Sequence, residues 1–213
     1  MAVTDAFISA LDHNKEWAAK TAQEDPLLFP TLANGQHPQI LWIGCSDSRC
    51  PETTLLDLKP GDVFVHRNIA NIIHATDLSS SAVIEYAVRH LRVKHVVLCG
   101  HTSCGGIAAA LGNKPLGILD LWLLPLRQIR SQHLKELQGL KTEEASLRLV
   151  ELNIQEGVRL LKQKDVILEA IETRGLQIHA LIYDVACGVL RELASDEPEE
   201  AIKARLASFK LEA

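Results

Sequence analysis

No run in the sequence approaches the roughly 18–20 consecutive apolar residues of a membrane span, which excludes a helical membrane anchor from these residues. Basic charge is not in excess either. The 22 Lys and Arg face 27 Asp and Glu, a formal charge of −5, and this leaves no general electrostatic footprint for nucleic acid. The first residues, Met1 to Asp5, carry an early acid, no arginine and no apolar leader core, so the expectation is a chain that stays in the cytoplasm. Internal repeats and low-complexity stretches are missing as well. Cysteine is scarce and odd in number, five in all, which in a reducing compartment points to ligands, nucleophiles or core residues rather than a disulfide framework. What is present is 213 residues of which 47% are hydrophobic, enough for one large packed domain and too few for two. The expected layout is a single domain over 1–213, with a helical arm at 1–35, a core at 36–193 and a C-terminal helix at 194–213.

Patterning gives an alternating order of elements. Residues 5–21 read as a helix with Phe7, Leu11 and Trp17 on its apolar face, set apart by a polar loop at 32–38. Gln39 to Gly44 is a short apolar run, as expected of a buried parallel strand, and Val63 to Arg67 is a second, preceded by the Pro60-Gly61 turn signal. Ser79 to Ser81 offer N-caps for a helix reaching Leu91. His95 to Gly100 is the cleanest strand and runs into a small-residue helix, Gly105 to Leu111. Residues 118–138 and 142–163 read as longer helices, and 164–174 as a helix closed by Gly175. Gln177 to Asp184 is another strand, Gly188 to Arg191 a short edge strand, and 197–209 a surface helix. Strands alternating with helices predict an α/β fold with a mostly parallel central sheet flanked by helices. In such folds chemistry gathers beyond the carboxyl ends of the strands.

Two strand ends carry cysteine. The first is Cys45-Ser46-Asp47-Ser48-Arg49-Cys50-Pro51 and the other His101-Thr102-Ser103-Cys104-Gly105-Gly106. Cys45, His101 and Cys104 make a Cys2His set, and thiolate with imidazole suits Zn2+. Three ligands leave a fourth position open, which distinguishes catalytic from closed structural zinc. Asp47, two residues from Cys45, either closes that position or pairs with Arg49 and leaves it free. Two thiolates cancel the charge of the ion, so activity is expected to favour alkaline pH, above what a three-imidazole site with a bound-water pKa of about 7 would need. A phosphatase loop is excluded, because it needs Cys-x5-Arg and only three residues separate Cys45 from Arg49. Cys99 and Cys187 read as small buried hydrophobes and Cys50 as local packing. The histidines other than His101 have no matching ligand spacing.

With these motifs on view, the sequence resembles the β-class carbonic anhydrases over about residues 5–193. The resemblance rests on Cys45 to Arg49, Gly61 to Asn71, Ile84 to Val88 and Cys99 to Gly106, with weaker matches at Asn153 to Val158 and Ile178 to Gly188. It implies zinc on Cys45, His101 and Cys104. It also implies reversible hydration of CO2 to bicarbonate by zinc-bound hydroxide, with Asp47 and Arg49 as a catalytic dyad gating the fourth zinc position. Phe64 is then expected to line the CO2 pocket and Gln36 to donate a hydrogen bond to substrate. A homo-oligomer, a dimer or a dimer of dimers, is implied too, with the N-terminal helix packing on a partner subunit. In one subgroup bicarbonate also binds a non-catalytic pocket of Trp, Arg and Tyr, and Trp42, Arg67 and Tyr86 match those positions. An anion there would break the Asp47–Arg49 pair and let Asp47 ligate zinc, a two-state site biased by its ligand. The alternatives on the same sequence are a CS2 or COS hydrolase and a non-catalytic bicarbonate-responsive protein. The complete Asp47/Arg49 pair argues against the latter.

Overall fold

The computed structural model describes residues 5–194 and 197–209. They divide into two compact units, Met1–His37 and Pro38–Ala213. The first holds α1 (Ala6–Glu24) and α2 (Leu28–Ala33). Asp5 caps α1, its Oδ1 accepting from the amides of Phe7 at 2.8 Å and Ile8 at 3.3 Å. Trp17 of α1 meets Phe29 of α2 edge to face, ring centroids 5.7 Å apart. The segment read as a polar loop from residue 32 thus begins inside a second, short helix.

The second unit is built on a five-stranded sheet in the order β2-β1-β3-β4-β5. Its strands are β1 (Ile40–Cys45), β2 (Val63–Asn68), β3 (His95–His101), β4 (Gln177–Asp184) and β5 (Val189–Glu192). The first four run parallel and β5 pairs antiparallel at the edge. This is the α/β architecture that the alternating pattern predicts. Side chains alternate across the sheet. Leu41, Ile43, Val96, Leu98, Ala180 and Ile182 face the main core. Trp42, Val97, Cys99 and Tyr183 form a smaller cluster on the other face. No helix among the described residues is long and apolar enough to cross a membrane.

The helices over the main core are α4 (Leu78–Glu85), α5 (Gly105–Leu111), α9 (Thr142–Leu161) and α10 (Asp165–Arg174), numbered with the short α3 (Glu52–Leu55) and α6 to α8 between them. α9 approaches the sheet closely at Gly157, where a Cβ would lie 2.4 Å from Leu98 Cδ2. Gly175 ends α10 in the left-handed conformation, as its position predicts. Residues 118–138 do not form one helix. They break into α6 (Leu119–Trp122), α7 (Leu124–Gln132) and α8 (Leu134–Gln138). Pro125, in the first turn of α7, cannot continue a preceding helix. The C-terminal helix α11 spans Glu199–Phe209, and Lys162, the C-cap of α9, reaches Glu197 just before it at 2.9 Å.

The cap of α4 is Asp77 rather than a serine. Its carboxylate accepts from Ser79 N at 3.1 Å and Ser80 N at 3.0 Å, which lowers its pKa, the bonds from Ser80 being the first cause. A depressed folded-state pKa means stability that is present above the unfolded carboxylate pKa and lost as pH falls through the folded value. Asp77→Ala is therefore expected to cost about 1 kcal/mol at neutral pH. In denaturant titrations the gap from the parent protein should shrink as the solution is acidified below about pH 4. A gap that stays constant into acid would show that the carboxylate is not the stabilising group.

Candidate metal centre

β1 and β3 are neighbours in the parallel sheet, with Gly44 opposite Cys99, so their carboxyl ends open at the same place. β1 ends on Cys45 and β3 on His101, and the chain then turns so that Cys104 is the N-cap residue of α5. One ligand atom from each of Cys45, His101 and Cys104 lies within 4.8 Å of the others, and all three residues are buried. The two Sγ atoms are 4.0 Å apart. This is far outside a disulfide, and close to the roughly 3.8 Å edge of a tetrahedron built on Zn–S bonds of 2.3 Å. His101 Nδ1 lies 2.9 Å from Thr102 O, so it carries the proton, and Nε2 keeps a lone pair. Among the described residues that buried Nε2 has no hydrogen-bond partner, a costly state for a polar atom unless a ligand satisfies it. The residues fit zinc. Without a cation, the hydrogen bond from Cys104 pulls the Cys45 thiol well below its ordinary range, against burial, while Cys104 keeps its proton. A divalent ion takes over the place of that shared proton.

The surroundings hold the triad from several sides. After β2 the chain turns through Ala70 and Asn71, both with left-handed φ, at 61° and 47°. Asn68 closes this turn, accepting from Ile72 N at 2.8 Å and donating to Ile72 O at 2.9 Å. Asn153 of α9 donates to Ala70 O at 2.9 Å. The turn aims the backbone N–H of Ala70 at Cys45. Gly106 lets it pass, since a Cβ there would lie 2.9 Å from that of Ala70. Ala70 and Asn153 stand inside matched motifs, but nothing in their residue types announces this role. Thr102 accepts from Val185 N at 3.0 Å and donates to Asp184 at 3.1 Å, tying the His101 loop to the end of β4.

Asp47 and Arg49 meet as a fork. Arg49 Nε donates to Oδ1 at 2.9 Å and Nη2 to Oδ2 at 2.7 Å, and Nη2 also reaches Ser103 O at 3.1 Å. The guanidinium holds the Asp47 carboxyl well below the usual range, and the carboxylate in turn raises Arg49. Asp47 Oδ2 is 3.8 Å from His101 Nε2, so the fork stands beside the ligand triad. Arg67 fixes the same loop from beneath, donating to Cys45 O at 2.8 Å and Asp47 O at 2.5 Å.

Other sequence expectations are placed less uniformly. Phe64 is half-buried against the main core and stacks on Tyr86 at 5.7 Å. Gln36 belongs to the N-terminal unit and is exposed. The trio Trp42, Arg67 and Tyr86 is not assembled. Trp42 pairs with Val65 and Arg67 with Gly44, on the face of the smaller cluster, whereas Tyr86 packs on Phe64 across the sheet. The tyrosine in the Trp42 cluster is Tyr183, and strand alternation past Ile182 is the signal that would have found it. Cys50 and Cys99 are buried as expected, with burial pushing the Cys50 thiol up to about 11, but Cys187 is exposed in the turn before β5. It is not a core residue, because Gly188 with φ 76° turns the chain at the surface there.

A buried Cys2His triad at adjoining parallel strand ends, with a carboxylate held beside it by arginine, is the donor set of a catalytic zinc centre with one position left over. Residues 40–190 match the family model described as carbonic anhydrase. A carbonic anhydrase of Emericella nidulans is 45% identical over 189 residues, 88% of this chain and 83% of that protein. Among solved structures, the β-carbonic anhydrase CafA of Aspergillus fumigatus superposes with TM-score 0.96 at 71% identity, over 98% of this chain and 100% of that one. One of two tetrameric β-carbonic anhydrases from Sordaria macrospora superposes with TM-score 0.89 at 51% identity, over 91% and 100%. The chain belongs to the β-class carbonic anhydrases. Its reaction is the hydration of CO2, and Cys45, His101 and Cys104 are its zinc-binding triad.

Proposed function

We propose that Asp47 and Arg49 are the catalytic dyad of this carbonic anhydrase. The observation that carries the reading is the position of Asp47: both carboxylate oxygens are engaged by Arg49, yet Oδ2 stands 3.8 Å from His101 Nε2. Zinc held by Cys45, His101 and Cys104 acidifies a water and stabilises negative charge on oxygen. Arg49 keeps Asp47 ionised and turned aside, so the carboxylate is an acceptor for a hydrogen bond from the reacting oxygen and orients it. Arg67 is a positioning residue, since its two carbonyl contacts fix the backbone between Cys45 and Asp47.

Phe64 serves as an apolar wall for CO2, its ring backed by Tyr86. Gln36 exposes a side-chain amide able to donate to a bicarbonate oxygen. The protein works as a homo-oligomer, a dimer or dimer of dimers. The exposed apolar residues Phe7, Ile8, Leu11 and Trp17 of α1 support this, because such a row is covered in stable proteins. The relatives from Sordaria macrospora are tetrameric. Five free cysteines, two of them needed as thiolates, suit the reducing cytoplasm. Stopped-flow CO2 hydration at neutral and alkaline pH, with zinc quantified on the same samples, tests the dyad. Asp47→Asn is expected to retain one zinc per chain and to lose about 10²-fold in kcat, the scale of a misoriented reacting group. Turnover near that of the parent would remove Asp47 from the mechanism.

A further inference from the structure

A cleft at the other end of β3 collects positive charge that the zinc chemistry does not use. It lies between the π-helical turn Tyr86–His90, which continues α4, and α10. Its volume is about 50 Å³, and Arg89, Arg92, Arg174, Glu169 and Thr173 give it its polar groups over an apolar floor that includes Val88.

The charges do not balance inside it. Three arginines and one glutamate line it, and Arg89 pairs with that Glu169 at 3.1 Å as well as with Glu85 at 2.5 Å. Arg174 is half-buried and spends its terminal nitrogens on neutral acceptors, Val93 O at 2.6 Å and Val88 O at 2.9 Å. Those bonds use two of its five N–H donors and bring it no counter-charge. Arg92 adds a further exposed guanidinium to the same cleft. The crowding is felt: burial first and the nearby Arg92 second hold Arg174 below the ordinary arginine range. Arg92 also sits in the left-handed region, with φ 56°, where glycine and asparagine are at ease and a long side chain is not.

We propose that this cleft binds a single oxyanion of the phosphate class, bridged by Arg92 and Arg174. A tetrahedral dianion presents oxygens to both guanidiniums at once and removes their mutual repulsion, the kind of multidentate recognition for which arginine is suited. The cleft has room for about one phosphoryl group. A monoester would have to leave its organic part outside. β3 begins at His95, three residues after Arg92, and runs to His101 at the metal centre, a span of about 20 Å, so the two sites do not share a ligand.

Titration calorimetry of the zinc-loaded protein with inorganic phosphate tests the proposal, and glycerol phosphate in a parallel arm distinguishes the free ion from a monoester. Saturable binding of one anion per chain is expected, tighter for whichever source is the natural occupant. Arg92→Gly removes the guanidinium and relaxes the backbone, so the fold is retained while phosphate binding weakens at least tenfold. Arg92→Asn, also at ease with positive φ, is expected to do the same. CO2 hydration should be unchanged in both variants. Phosphate affinity that survives both substitutions would overturn the proposal, as would the absence of binding to the parent protein. An anion held at the metal centre instead would reveal itself through that same indifference to Arg92.

Discussion

Replacing His101 by alanine is expected to leave a folded protein with neither zinc nor measurable CO2 hydration. The imidazole is 1% exposed, and its Nε2 has no hydrogen-bond partner among the described residues, so what this atom does in the working enzyme is bind metal. Its removal leaves two sulfurs 4.0 Å apart, which share a proton more readily than they hold a dication without a third protein ligand. Loss of the ion removes several kcal/mol of transition-state stabilisation, about 10³-fold or more in rate. Metal analysis by mass spectrometry should read well below one zinc per chain, and stopped-flow rates should fall to background. The sheet should persist, because β1, β3 and β4 are held by their own parallel ladders and by the main core behind them. Far-ultraviolet circular dichroism is therefore expected to match that of the parent. Retained zinc with lost activity would instead make His101 a residue of the chemistry and not of the metal shell.

The parts of this site that were legible in sequence are those where one residue type has few uses. Cys45, His101 and Cys104 each end an apolar strand or open a glycine-rich turn, and the parallel pairing of β1 with β3 brings those ends together. The edge strand β5 and the left-handed Gly175 were likewise readable, since local chemistry decides both. What stayed hidden depends on direction rather than identity. Tyr86 is the match that the resemblance offers, and the alternation of β4 past Ile182 is what puts Tyr183 on the sheet face of Trp42. Ala70 is unremarked in sequence because its contribution is a backbone N–H aimed by an unusual φ. The break between α6 and α7 follows from Pro125, whose effect is local, against an amphipathic pattern that runs straight through it, and the break before α8 falls at His133, whose backbone leaves the helical region. Asp77 overrode three serines as the cap because its carboxylate takes two amides at once.

Arg49→Ala is expected to abolish most activity for a reason opposite to that of His101→Ala: zinc should bind more tightly. The fork from Arg49 is what keeps both oxygens of Asp47 engaged. Without it the carboxylate, already 3.8 Å from His101 Nε2, is free to turn toward the metal ligands and supply the fourth donor that converts an open catalytic site into a closed structural one. Competition with a chelator should show slower zinc loss than in the parent, while hydration falls about 10²-fold or more. Arg49→Lys is expected to resemble the alanine variant more than the parent, since a point charge cannot reproduce the two parallel bonds. Asp47→Asn loses activity without the gain in zinc retention, because a neutral amide is a poor fourth ligand. The double variant then decides whether the pair is one device. If Arg49 acts only through Asp47, removing both costs no more activity than removing Asp47 alone, and the tighter zinc binding of Arg49→Ala disappears. Additive losses would mean that Arg49 touches the reaction independently, through its bond to Ser103 O or directly at the substrate.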